Sequence, residues 1–412
     1  MNRTKGWATL MALVLAGTAN AQDAGNVFKI GVVVELSGDN ATGGNVAKRG
    51  YDLWAMAVNE TGGIQIGKKK YPVKLYYGDA QSNPSQGAAA AERLITQEHV
   101  DLMFGPYASS VANAVGPVVE KYKIPMINGS AESPLVWKPK FKFVFGSIPP
   151  VNFTGAACID TLAHLSPAPK TAVVFGSNDT FSSSTATAFN EALLKQGIKV
   201  LKFNIVPEGQ DLTPLLSAMK GLRPDLICFG GHDEELINLV KDLHQIDYTP
   251  KALLMHYGVT EPAFAEALKG DANQVFGGAV WTETTKTSSK ILWKDSQTYA
   301  AASLKAFKVA ADYTQGGCSA AGIAFQVALQ KINAAPPLSE AKREELVKAL
   351  EAVDVETFYG RIKFATEGDY FHANSGISSL TVQIQNGVVK AVGPAKVAEV
   401  QTQYPMTPWA KR

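Results

Sequence analysis

Hydroxyls and one carboxylate gather in two short stretches. Gly105-Pro106-Tyr107-Ala108-Ser109-Ser110 follows the apolar run Leu102–Phe104, and Asn128-Gly129-Ser130-Ala131-Glu132-Ser133-Pro134 follows Ile124–Ile127. Ser109 and Ser110 stand where an apolar-periodic helix opens, and free backbone N–H groups at a helix N-terminus attract an anion such as a carboxylate. The second stretch offers Ser130, Ser133 and Glu132, whose negative charge can answer a cation. An anion site beside a carboxylate suits a zwitterion.

These loops meet only if the runs before them lie side by side as parallel strands, since open α/β sheets bind ligands at their carboxyl edge. The surrounding pattern predicts such a sheet. Phe28–Leu36 is a nearly continuous β-branched run, as in a strand covered on both faces. Ser37-Gly38 and Gly43-Gly44 break it, Val46–Asn59 has helical periodicity, and Thr61-Gly62-Gly63 stops that helix. Tyr71–Asp79 reads as a strand, and Pro84 opens an alanine-rich helix to about Gln97. Ser109–Lys121 is the helix between the two loop strands. Strand and helix alternate, which predicts a doubly wound parallel sheet.

Phe141–Pro150 reads as a crossing point, after which the alternation restarts. Helices are expected at 152–165, 181–196, 212–221 and 234–245, and strands at 171–175, 200–206, 226–229 and 252–255. An apolar run at Val275–Thr282 precedes helix to about Val353. Asn386-Gly387, between alternating runs at Leu380–Val392, is a type I′ hairpin signal. The expected fold is α/β with two similar lobes.

Arg3 and Lys5, an apolar run from Trp7 to Gly17 and Ala19-Asn20-Ala21 form the pattern of a secretory signal peptide cleaved after Ala21. No cysteine follows that run, so no lipid anchor is expected there. Without Arg3 and Lys5 the 39 basic residues become 37, against 37 acids. That neutrality argues against nucleic acid or an anionic membrane as partner. Cys158, Cys228 and Cys318 each sit in apolar surroundings and read as buried free thiols.

Enzyme motifs are weak. Gly62–Lys69 nearly spells a phosphate loop but lacks the Ser or Thr that would hold Mg²⁺ and follows a helix. G-x-G-x-x-G, G-x-S-x-G and H-E-x-x-H are missing. His232 with Asp233, Glu234 and Glu235 has no second histidine at ligand spacing and reads as an acidic first helical turn. No catalytic residue, metal or cofactor is expected.

Several stretches together resemble the periplasmic solute-binding proteins of ABC importers, in the branched-chain amino acid (LIV-type) class. They are I-G-V-V-V-E-L-S-G (30–38), N-E-T-G-G-I (59–64), D-A-Q-S-N-P (79–84), G-P-Y-A-S-S (105–110) and N-G-S-A-E-S-P (128–134). F-G-G-H (229–232), T-F-Y-G-R-I-K-F (357–364) and V-Q-I-Q-N-G (382–387) continue the match. The resemblance implies two Rossmann-like lobes joined by three crossovers, near Phe145–Pro150, Phe276–Thr282 and Tyr359–Phe364. The lobes would be residues 22–147 plus 277–359 and 148–276 plus 360–412, closing on a ligand delivered to an ABC permease.

The resemblance also implies site residues. Ser109 matches the serine whose hydroxyl and amide bind a carboxylate, though it reads equally as a helix cap. Ser130 and Glu132 match positions facing the ammonium and carboxylate, where Glu132 departs from the usual small or hydroxyl residue. Phe181 matches an aromatic cover, or plain core. His232 matches a side-chain pocket position, or a cap. Tyr257 stands where a glutamate for the ammonium is usual. With Tyr107 and Ser110, these eight are the candidate ligand-binding residues. An amino acid or derivative is the expected ligand. An amide, urea, or aromatic or short carboxylate is the alternative, and a secreted hydrolase a remoter one.

Overall fold

The computed structural model describes residues 27–412; the signal-peptide expectation lies outside them. The chain runs β1 (Phe28–Val34), α1 (Ala41–Glu60), β2 (Ile64–Ile66), β3 (Lys69–Tyr71), β4 (Val73–Asp79), α2 (Pro84–Thr96), β5 (Leu102–Phe104), α3 (Ser109–Tyr122), β6 (Met126–Asn128) and β7 (Val144–Gly146). Five of these strands form a first sheet in the order β4-β1-β5-β6-β7, parallel throughout. β4 and β5 flank β1 on opposite sides, so the winding reverses between β1 and β5, and ligand crevices open at such a switch point.

A second unit follows: α4 (Cys158–Ala163), β8 (Thr171–Ser177), α5 (Thr180–Lys195), β9 (Lys199–Val206), α6 (Thr213–Lys220), β10 (Leu226–Gly230), α7 (Asp233–Gln245), β11 (Ala252–His256), α8 (Pro262–Leu268) and β12 (Phe276–Ala279). Its sheet runs β12-β11-β10-β8-β9, with the switch between β8 and β10. The chain then returns to the first lobe, where α9 (Ser296–Phe307), α10 (Tyr313–Lys331) and α11 (Glu340–Glu351) lie and α10 packs along α1. After the short hairpin β13 (Asp354–Thr357) and β14 (Gly360–Lys363), β15 (Leu380–Gln385) and β16 (Val388–Gly393) extend the second sheet in antiparallel fashion. Their turn, Asn386-Gly387, has positive φ at both residues (53° and 75°), as type I′ requires.

Four local differences from the sequence pattern have physical causes. Gly43 and Gly44 do not precede the first helix but lie in its opening turn. A Cβ on Gly44 would sit 1.9 Å from the Glu35 carbonyl oxygen, so the glycine lets α1 start against the end of β1. Of the helix expected at 152–165, only Cys158–Ala163 forms. The preceding turn is drawn into the cleft, where the Val151 N–H donates to the Glu132 carbonyl (2.8 Å). There a Cβ on Gly155 would lie 2.7 Å from the His256 ring. The helical tail divides into α9, α10 and α11, whose N-caps Asp295, Asp312 and Ser339 accept from Thr298, Gln315 and Lys342 N–H. The near phosphate loop is the β2–β3 hairpin, whose strands pair Ile64–Ile66 with Lys69–Tyr71.

Candidate functional site

Hydrogen bonds lock the two hydroxyl-bearing loops together at the carboxyl edge of the first sheet. The Tyr51 hydroxyl donates to the Gly105 carbonyl (2.9 Å) and accepts from the Gly129 N–H (3.2 Å). The Ser130 hydroxyl donates to the Pro106 carbonyl (3.1 Å), while Ser109 Oγ accepts the Ser133 N–H (3.1 Å). Glu35, at the end of β1, accepts the N–H groups of Tyr107 (3.0 Å) and Ala108 (3.1 Å). Burial pushes its carboxyl up to about 7 despite those bonds. The first donors near α3 are thus answered by the protein's own carboxyl, and Ala108, not Ser109, occupies the N-cap position.

The second sheet contributes from its own switch point. Asp179 caps α5, accepting from Phe181 N–H (2.8 Å) and Ser182 N–H (3.1 Å). His232 follows β10, and its Nε2 lies 3.2 Å from Asp179 Oδ1. Burial disfavours the imidazolium, but Asp179, followed by Glu235 and Asp233, raises its pKa to about 9. The same pairing overcomes burial at Asp179 and takes its carboxyl down to about 2. His232 is therefore a cation at neutral pH, 3.2 Å through Nδ1 from the Tyr107 hydroxyl of the opposite lobe.

Glu132 is 2% exposed and held from three sides. Tyr313 donates to Oε1 (2.8 Å), His256 Nε2 lies 3.1 Å from Oε2, and Thr154 also donates to Oε2. Tyr257 is buried with its hydroxyl between Glu261 and Asp312 (3.1 Å to the latter). Burial, with Asp233 and Asp312 nearby, raises the Glu261 carboxyl well above the usual range.

A small cavity lies between the lobes, lined by Tyr107, Ser130, Glu132, Phe181, His232, Tyr257 and Thr314. Six of the eight expected residues thus share one space. Ser109 and Ser110 do not line it; Ser109 is fully buried behind the loops and Ser110 half-buried on α3. Sequence reasoning missed Thr314, and also Glu35, His256 and Tyr313, which hold the lining in place. The acid at the end of β1 was the available signal for Glu35, since it ends a strand at a switch point. Among the described residues no cluster of His, Cys, Asp or Glu could hold a metal, and no helix is long and apolar enough to cross a membrane. The three cysteines are buried and free.

Two lobes built on largely parallel sheets, whose switch points face each other across a small cavity, define a ligand-binding cleft. The family described as periplasmic binding protein matches residues 27–387, and the chain belongs to that family. Relatives include a Leu/Ile/Val-binding protein homolog from Brucella melitensis, 24% identical over 82% of this chain and 88% of its own. A branched-chain amino acid transporter substrate binding protein of Streptococcus pneumoniae, solved with isoleucine, superposes with a TM-score of 0.76 at 20% identity, covering 89% of this chain and 98% of that one. A solute binding protein of an ABC transporter from R. palustris, solved with benzoate, superposes at 0.77 and 18% identity over 92% and 98%. These likenesses give the fold, two lobes of the type I periplasmic-binding kind. The chain is a receptor and not an enzyme.

Proposed function

We propose that the protein is an extracytoplasmic receptor that captures a small zwitterion, an amino acid or a derivative, by closing its lobes and passes it to an ABC permease. The observation that carries this reading is the pairing of opposite charges at one cavity, with the His232 imidazolium on one side and the Glu132 carboxylate on the other. A ligand carboxylate would face His232 and the Tyr107 hydroxyl, and its amine would face Glu132. Export to the periplasm with cleavage after Ala21 belongs to the same reading. So does the lobe division near residues 147, 277 and 360. Phe181, Tyr107 and Tyr257 beside the His232 cation also favour a second reading, an aromatic or short carboxylate. Calorimetry with leucine, its deaminated analogue and benzoate separates the two. Tighter binding of the amino acid supports the first reading; equal or tighter binding of the acids overturns it.

A further inference from the structure

We propose that the ligand's cationic group is N-alkylated, so that the substrate class is a compact betaine, an amino acid whose nitrogen carries methyl groups in place of N–H donors. This rests on the zwitterion reading and narrows it. Besides Glu132, the side-chain acceptors free at the lining of the cavity are the hydroxyl oxygens of Ser130 and Thr314, against three aromatic rings. Glu132 is the only carboxylate lining it, and three of a carboxylate's roughly four acceptor positions are occupied by Tyr313, His256 and Thr154. A primary ammonium brings three N–H donors and would find one position there.

The Tyr257 hydroxyl is engaged with Glu261 and Asp312. What Tyr257, Tyr107 and Phe181 bring to the cavity is aromatic surface. Tyr107 and Tyr257 have centroids 5.8 Å apart at 59°, and Phe181 stands 5.2 Å from the His232 ring. Aromatic side chains around a negative charge are the arrangement that recognises alkylated ammonium groups through the ring quadrupole. Glu261 and Asp312 hold the Tyr257 hydroxyl, and Asp233, buried nearby, has an Oδ1 with no partner among the described residues.

The carboxylate end is provided for separately. A protonated His232 donates Nδ1–H to the Tyr107 hydroxyl, which keeps its own hydrogen for a ligand oxygen. The cavity is small, which suits a short betaine better than a long side chain.

The test is calorimetry on the full mature chain with glycine, N,N-dimethylglycine, trimethylglycine, leucine and benzoate. Affinity is expected to rise along the methylation series, trimethylglycine binding about tenfold or more tighter than glycine. Phe181→Leu should erase much of that ratio. Should that variant not fold, the wild-type series decides alone. Glycine or leucine binding as tightly as trimethylglycine, or no binding of trimethylglycine, overturns the inference and leaves the amino acid receptor standing. Binding of benzoate alone overturns both.

Discussion

The Tyr107 hydroxyl lies 3.2 Å from Nδ1 of His232, and this contact joins the switch point of one sheet to that of the other. Ser133 Oγ and Ser184 Oγ, 2.8 Å apart, make a second polar contact across the cleft. Lobe closure is thereby tied to groups that line the ligand cavity. Solution scattering should give a smaller radius of gyration with ligand than without it, the usual sign of hinge closure. Tyr107→Phe removes one hydrogen bond of the closed state, worth about 1 kcal/mol, and should weaken the ligand about fivefold. An unchanged radius with a confirmed ligand would contradict closure.

His232 should make stability depend on pH. Its pKa is raised to about 9 in the folded state, against roughly 6.5 when unfolded. The folded chain therefore holds more protons between those values, so its contribution is complete below about 6.5 and is lost as pH rises through 9. Glu35, raised to about 7, acts in the lower window from about 4.5 to 7, and Glu261 is raised as well, so the comparison with His232→Asn isolates the His232 share. Denaturation midpoints should fall across pH 7–9 in the wild type and stay flatter in His232→Asn. Equal slopes would remove His232 as the cause.

His372 has the opposite sign. It stacks on Phe145 (centroids 3.8 Å), with Nδ1 3.3 Å from the Val144 carbonyl and Nε2 3.3 Å from Glu351. Burial outweighs Glu351 and depresses its pKa to about 4. A group lowered below its unfolded value gives stability that is present above about 6.5 and lost as pH falls through 4. Because Ala373 bridges Gly146 at the first crossing, acid should loosen the joint between the lobes. Once the slower intrinsic exchange at acid pH is divided out, amide protection at 144–147 should fall from pH 7 to 5, and less so in His372→Gln.

The elements of both sheets were legible because parallel strands read as apolar runs and their helices carry clear starts. The cleft was less so. Phe181 and His232 are visible as residues at helix starts, but only the lobe arrangement puts them opposite Tyr107. Glu132 stood out as a charge in a small-residue loop, whereas His256 reads as the end of a buried strand and Thr154 as part of a helix. Their partnership with Glu132 spans 124 and 22 positions, a separation no local pattern carries. Ser109 illustrates the reverse case. Its type and place suggest a ligand contact, yet its oxygen is engaged by the loop beside it.

That engagement makes a separable prediction. Ser109→Ala leaves the Ser133 N–H without its acceptor in a fully buried position, which costs about 1–3 kcal/mol. Denaturant unfolding should show that loss, with ligand affinity changing little. A large affinity loss at unchanged stability would instead make Ser109 a ligand contact.

Glu132→Gln tests the charge itself. Two hydroxyl donors and the His256 ring nitrogen converge on this carboxylate, and an amide can accept on only one of its two atoms. Either Tyr313 or the Thr154–His256 side then faces an NH₂ group. The unliganded variant should lose about 1–3 kcal/mol of stability from that mismatch. Binding should change by a further amount that depends on the ligand. A ligand with a cationic nitrogen loses its only lining carboxylate and should weaken by roughly tenfold to a hundredfold, the range for one interaction with a charged group. Its deaminated analogue should lose little or gain, because a negative charge beside its carboxylate has gone. Calorimetry with both ligands on wild type and Glu132→Gln, alongside unfolding of each unliganded chain, separates the two effects. Equal losses for both ligands would mean that Glu132 only shapes the loop and meets no cation.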